Sequence, residues 1–388
     1  MGVFASRRWK HLIFAAALSA LSAAGGCNRS EWPLWNAYKA RFIDGQGRVF
    51  DPRGDGRSTS EGQSYALFFA LVDNDRAEFD RVLAWTQTNL AAGDLGTHLC
   101  ASKWGKAPDG TSRVLDADSA SGADVWLAYT LLEAGRLWNA ADYTAMARGQ
   151  LALIAKGEVA DLPGFGPMLL PGSQGYVHDR GWTLHPGDLP LFLFERLAQV
   201  DPAGPWHAIA QNIPRVVEGS TRHGFAMDWI EFVPGDGFYA AAQNPEETSS
   251  SRDSGGNYDA IRVYLWAGML DANSLQRQML HAVDGMSGYL GGHNFPPERV
   301  DRSGIPLGND GPVGFSAALL PYLRASGESK MTARQIVRMN AERNAATGMY
   351  GRDSAYDDQN LALFGTGFLD DRFEFGQAGE LNVEWNRA

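Results

Sequence analysis

The chain has 388 residues, 44% of them hydrophobic and 20% charged, a globular composition with material for a large core. A formal net charge of -11 leaves no basic surplus to neutralise phosphates, which excludes nucleic acid as a partner and disfavours an anionic substrate. The compositional excess is in aromatics, with 12 Trp. Flat rings either fill a core or hold the apolar faces of neutral sugars.

The N-terminal stretch reads as a signal peptide over residues 1–26. Arg7, Arg8 and Lys10 form a basic segment, Leu12 to Leu21 a short apolar one, and Ala23-Ala24-Gly25-Gly26 a run of small residues. The apolar run is too short to remain as a spanning helix. Ser6-Arg7-Arg8 also carries a twin-arginine hint. The expected location is therefore periplasmic or secreted. Cys27 follows the small residues as at a lipoprotein cleavage site, although Ala24 stands where Leu is usual. A lipid anchor at Cys27 is the one membrane attachment expected. The other cysteine is Cys100, so no disulfide framework is available. Residues 27–388 show no linker and are read as a single domain.

Hydrophobic periodicity next predicts a leading helix over about 34–43, then helical pairs with short internal connections. The pairs cover about 60–72 and 75–91, 123–136 and 139–157, 186–199 and 203–218, 257–269 and 272–286, and 311–326 and 331–343. A sixth helix begins near Tyr356 and would pair with the leading one to close a ring. Long Gly-, Pro- and aromatic-rich loops (about 92–122, 158–185, 235–256 and 287–310) all precede the first helix of a pair. In a ring of hairpins they share one face. The expected fold is all-α, an (α/α)6 barrel with a loop-lined cleft at one end and little β-structure.

Acidic residues recur at the mouths of the first helices: Glu61, Asp124, Asp188, Asp259, Asp310 and Asp357. Complementing the helix dipole explains an acid there on its own. Gathered on one concave face, the same acids form a cleft floor able to divide acid and base work. Ser58-Thr59-Ser60 offers an N-cap just before Glu61, and Asn257 offers one before Asp259. Arg262, three residues after Asp259, reaches it from the same helix face. That pairing is either an ordinary intrahelical ion pair or the means of keeping a base ionised. Glu61, as a general acid, would need burial or a neighbouring carboxylate such as Asp124 or Asp259. No metal site and no cofactor are expected, since the 8 His show no ligand spacing and the two Cys lie far apart.

With these residues in view, the sequence resembles glycoside hydrolase family 8, and within it the endoglucanases associated with bacterial cellulose synthase. The family pattern Ala-Ser/Thr-Asp-Ala/Gly-Asp, ending in Ala-x-x-x-Trp/Phe, is matched at Ala120, Ser121, Ala123, Asp124, Ala128, Leu131, Ala134 and Trp138. Gly122 replaces the first Asp of that pattern, and Asp118, four residues upstream, is the candidate to compensate for it. Ser60-Glu61-Gly62-Gln63-Ser64-Tyr65 and Tyr258-Asp259-Ala260-x-Arg262 match as well. A second departure is Leu184-His185-Pro186-Gly187-Asp188, where relatives often carry Asn-Pro-Ser-Tyr. The resemblance implies Glu61 as general acid, Asp259 as general base and Asp124 as a sugar-holding residue. It implies Trp104 as a sugar-stacking ring, with Trp182 and Tyr176 as further candidates beside Tyr258 and Arg262. It further implies a β-1,4-glucan chain as substrate, inverting hydrolysis, and a cellulose synthase complex as partner. Xylan, chitosan or mixed-linkage β-glucan on the same barrel, or a non-catalytic glycan-binding subunit of an export complex, are the competing readings.

Overall fold

The computed structural model describes residues 31–241 and 254–387, so the signal segment and Cys27 lie outside the described residues. In chain order the helices are α1 (Pro33–Phe42), α2 (Ser60–Val72), α3 (Arg76–Leu90), α4 (Ser121–Leu137), α5 (Ala141–Gly157), α6 (Leu191–Val200) and α7 (Trp206–Ser220). They continue with α8 (Ala260–Gly268), α9 (Met279–Ala282), α10 (Gly285–Gly292), α11 (Val313–Ala325), α12 (Ser329–Ala341) and α13 (Tyr356–Leu369). Hydrophobic pattern decides where each sits. Every residue of α8 is buried, as is all of α2 except Glu61 and nearly all of α4 and α11. Helices apolar all round must be enclosed by others. By contrast α3, α5 and α12 bury a single face.

The result is an (α/α)6 barrel. Along the inner ring α2 packs on α4, α4 on α6, and α11 on both α8 and α13. Phe192 of α6 meets Trp266 of α8 at 6.2 Å between ring centroids, and Phe364 of α13 returns to Phe69 of α2 at 4.7 Å. Outside, α1 closes against α13 through Tyr38 and Phe42 on Tyr356, as the periodicity predicts. Aromatic rings fill the axis. Trp126 lies 5.0 Å from Phe68, 5.2 Å from Phe364 and 5.3 Å from Trp266. Such pairs add about 0.5–1.5 kcal/mol each beyond buried area. From Trp32 onward the chain packs as one compact unit. Among the described residues no helix is long and apolar enough to cross a membrane.

The loops hold more β-structure than the periodicity suggests. β1 (Ser58–Thr59), β2 (Lys103–Lys106) and β3 (Ser112–Asp116) form one small antiparallel sheet, and β4 (Val159–Leu162) with β5 (Gly166–Leu169) a hairpin. β6 (Trp182–Leu184), β7 (Ile230–Val233) and β8 (Gly237–Ala240) make a third group, β9 (Ser254–Gly256), β10 (Pro297–Asp301) and β11 (Pro306–Asp310) a fourth. These strands run two to five residues, too short for alternation to register in the sequence. They gather around the N-terminal ends of the inner helices. At the other end β12 (Phe373–Phe375) and β13 (Leu381–Val383) form a hairpin that floors the barrel. Phe375 stacks on Phe192 at 3.8 Å, and the Tyr129 hydroxyl donates to the Gly379 carbonyl at 2.8 Å.

Three boundaries differ from expectation. Helix α6 starts at Leu191 rather than 186, because Pro190 disfavours a helical residue before it; Pro186–Asp188 forms a separate 3-10 turn. Helix α8 starts at Ala260 rather than 257. The helix expected over 272–286 is broken into a 3-10 turn (Leu275–Gln278), α9 and α10, in a stretch weakened by Gly285, Gly288, Gly291 and Gly292.

Candidate active site

Two helix N-termini present the principal carboxyls. At α2, Thr59 Oγ1 accepts from the Gly62 amide at 3.1 Å, the cap that the hydroxyl run predicts. The Ser60 amide donates to the Ser102 carbonyl at 3.1 Å, tying this turn to the β2 sheet. Glu61 follows with its side chain 41% exposed. At α8 the cap is not Asn257. Asp228, from a distant segment, accepts from the amides of both Asn257 and Ala260 at 2.7 Å. Gly255 and Gly256 bring the chain in close, since a Cβ on either would run into the carbonyl of Asp301 or Ala226.

Arg262 is the hub. Its Nη1 donates to Glu61 Oε1 and, at 3.3 Å, to the Tyr65 hydroxyl. Its Nη2 donates to Asp259 Oδ1 at 2.8 Å and lies 3.6 Å from Asp188 Oδ1. The other oxygen of Asp259 lies 3.2 Å from His185 Nε2, and His185 Nδ1 lies 2.9 Å from Asp188 Oδ2. In front opens a cavity of about 210 Å³, lined by Asp51, Glu61, Tyr258, Asp259, Arg262 and Asp357 among others.

The electrostatics separate these groups. Burial raises the Asp259 carboxyl, but the charges of His185 and Arg262 outweigh it and hold the group well below the usual carboxylate range. Burial lowers His185, while Asp188 and Asp259 lift it more, to about 10, which favours the charged ring at neutral pH. Burial and the charge of Asp259 raise Asp228 to about 7 against its two amide donors. Asp357, in the first turn of α13, is raised to about 7 by burial, then by Glu61 and Asp51.

Of the predicted residues, Glu61, Asp259, Arg262 and Tyr258 share this cavity. Tyr258 is 40% exposed and rests on Phe315 at 4.9 Å. Asp124 is elsewhere: it is fully buried, and burial followed by the neighbouring Glu158 pushes its carboxyl upward. Trp104 is half-buried on β2, with the Arg48 guanidinium 4.6 Å over its ring. Trp182 packs against Phe232 at 6.4 Å, and Tyr176 lies parallel to Trp229 at 6.2 Å. Asp188 sits on the 3-10 turn rather than at a helix mouth. Asp310 ends β11, exposed and short of α11. Sequence reasoning missed Asp228, Asp51 and Trp229, whose ring lies 4.4 Å from His185. No local pattern marks them, because their partners arrive from other loops.

Comparison with known proteins fits this arrangement. The profile of glycosyl hydrolases family 8 matches residues 1–352. The chain belongs to that family. Among its relatives, an endoglucanase of Xanthomonas axonopodis pv. citri is 46% identical over 377 residues, covering 96% of this chain and 93% of its own. An endoglucanase of Escherichia coli K12 is 39% identical over 373 residues, covering 95% of each chain. The solved endo-1,4-D-glucanase of Vibrio fischeri superposes with a TM-score of 0.79 at 34% identity, covering 92% of this chain and all of its own. As a family 8 glycosidase, this enzyme offers one carboxyl clamped in its ionised form and a second facing the same cavity.

Proposed function

We propose that this glycosidase is an endo-β-1,4-glucanase that cuts cellulose-like chains by single displacement with inversion. The observation that carries the mechanism is the unlike pair around Arg262. Asp259 is fixed as a carboxylate by two cations, while Glu61 stands more exposed across the guanidinium with Asp357 beside it. Glu61 gives its proton to the leaving glycosidic oxygen as the C1–O bond breaks. Asp259 takes a proton from the water that attacks C1 on the opposite face. Inversion requires the two carboxyls roughly 6.5–9.5 Å apart with the water between them. Arg262 donates to both carboxyls here, through Nη1 to Glu61 and Nη2 to Asp259. Tyr258 at the cavity wall, and Trp104, Tyr176 and Trp182 in the surrounding loops, are our candidates for stacking against further sugars. Asp124, fully buried beside Glu158, is our remaining candidate for a sugar-holding carboxyl.

Hydrolysis of carboxymethylcellulose tests the reading, with product configuration followed by NMR. Release of the α-anomer from a β-linked chain is expected. Glu61→Gln and Asp259→Asn should each lose about 10²–10⁴ in kcat. Release of the β-anomer, or wild-type rates in either variant, would overturn the roles; preferential turnover of xylan, chitosan or mixed-linkage glucan would reassign the substrate. We further propose export to the periplasm by residues 1–26, with 27–388 as the mature domain anchored by a lipid on Cys27 near a cellulose synthase complex. Palmitate labelling that persists in Cys27→Ala would refute the anchor.

A further inference from the structure

Position 122 and the side chain of Asp188 exclude one another. A Cβ added to Gly122 would fall 2.5 Å from both Cγ and Oδ1 of Asp188 and 2.9 Å from its Cβ. The carboxyl of the 3-10 turn therefore occupies the space at the start of α4 that a residue 122 side chain would fill. The turn is fitted there on every side. A Cβ on Gly187 would lie 2.6 Å from the Asp259 carbonyl, and Trp266 Nε1 donates to the Gly187 carbonyl at 2.8 Å. His185 is 4% exposed beneath the Trp229 ring. Taking a cation and carboxylates out of water is costly, and an apolar turn would pack this corner with less penalty. What the charged turn gains is a second cation on the oxygen of Asp259 that Arg262 leaves free.

We propose that Asp188 and His185 are a positioning pair for Asp259, and that Gly122 is the gap that admits Asp188. Asp188 Oδ2 lies 2.9 Å from Nδ1 and Asp259 Oδ2 3.2 Å from Nε2, which sets the ring between the two carboxyls as an ion pair with each. Asp259 is thereby oriented by two cations and kept ionised in a neighbourhood crowded with carboxyls. The inference rests on Asp259 being the base. The charged groups facing His185 are Asp188, Asp259 and Asp228, with Arg262 beyond Asp259; Glu158 is near enough to Asp188 to feel its charge.

Asp188→Asn keeps the shape at Gly122 and removes the charge. It should lower kcat about 10- to 100-fold, part of the 10²–10⁴ of a general base, with KM within about twofold. The basic limb of kcat/KM should move to lower pH, because a His185 without Asp188 gives up its proton at lower pH and then no longer pairs with Asp259. Gly122→Ala displaces the same carboxyl and should move the limb in the same direction. Gly122→Asp combined with Asp188→Ala returns a carboxyl from α4 and should exceed Gly122→Asp alone in kcat. In the wild-type protein, nitrogen NMR of the His185 ring should show both nitrogens protonated from pH 5 to 8. A neutral ring at pH 7, or an Asp188→Asn enzyme with wild-type kcat and basic limb beside an inactive Asp259→Asn, would end the inference and leave the base assignment intact. An active Asp259→Asn would end the assignment itself.

Discussion

Arg262 is surrounded by Glu61, Tyr65, Asp259 and Asp188, which keep it charged against the penalty of burial. The surplus of carboxyls behind it bears on stability. Glu158, Asp228 and Asp357 are raised to about 7 in the folded chain, chiefly by burial, against about 4 when unfolded. Between those values the native state binds more protons. The stability these groups contribute is complete below the unfolded value and is lost as pH rises toward 7. Asp259 runs the other way, its contribution present above the unfolded value and lost only in strong acid. Urea unfolding should therefore show Glu158→Gln with a flatter decline between pH 5 and 7 than the wild type. Asp228→Ala strands two amides at the head of α8 and should cost about 1–3 kcal/mol in the same measurement. The Asp259–Arg262 pair was readable because three residues on a helix fix the approach. Asp228 and the seat of Asp188 were not, since both depend on loops meeting across more than twenty positions of chain.

Helices announce themselves through period and burial, and those of the barrel were legible for that reason. The short strands were not, and the prolines at 186 and 190 turned an expected helix start into a 3-10 turn that follows His185 and ends in Asp188. Close crossings are set by small residues at defined points. Gly365 of α13 faces the backbone of Ala317 in α11, and Gly268 of α8 faces that of Pro321 and Tyr322, so a Cβ at either would meet main chain instead of a yielding side chain. Gly365→Ala should destabilise by about 1–3 kcal/mol through overpacking, read as a fall in Tm. Activity should fall with it, since α8 carries Arg262 and stands on the other side of α11.

At the scale of the molecule the aromatic axis joins helices that are far apart in sequence, and Trp126 touches four of them through Phe68, Phe192, Trp266 and Phe364 as well as its own. Trp126→Ala should cost about 3–5 kcal/mol by urea unfolding, more than any single loop residue. The ring closure was legible as a count of pairs; the hairpin floor was not, because nothing in a short pair of strands says which end of a barrel it will cover. That floor has a temporal consequence. Trp385 Nε1 reaches back 314 positions to the Leu71 carbonyl, and Glu133 waits for the Leu381 amide. A growing polypeptide arriving at roughly 5–20 residues per second holds α2 and α4 with their lower ends open until its last few dozen residues emerge. Until that segment arrives the barrel has walls and no floor, so a chain cut short before Leu381 lacks the partners of Glu133 and of the Leu71 carbonyl.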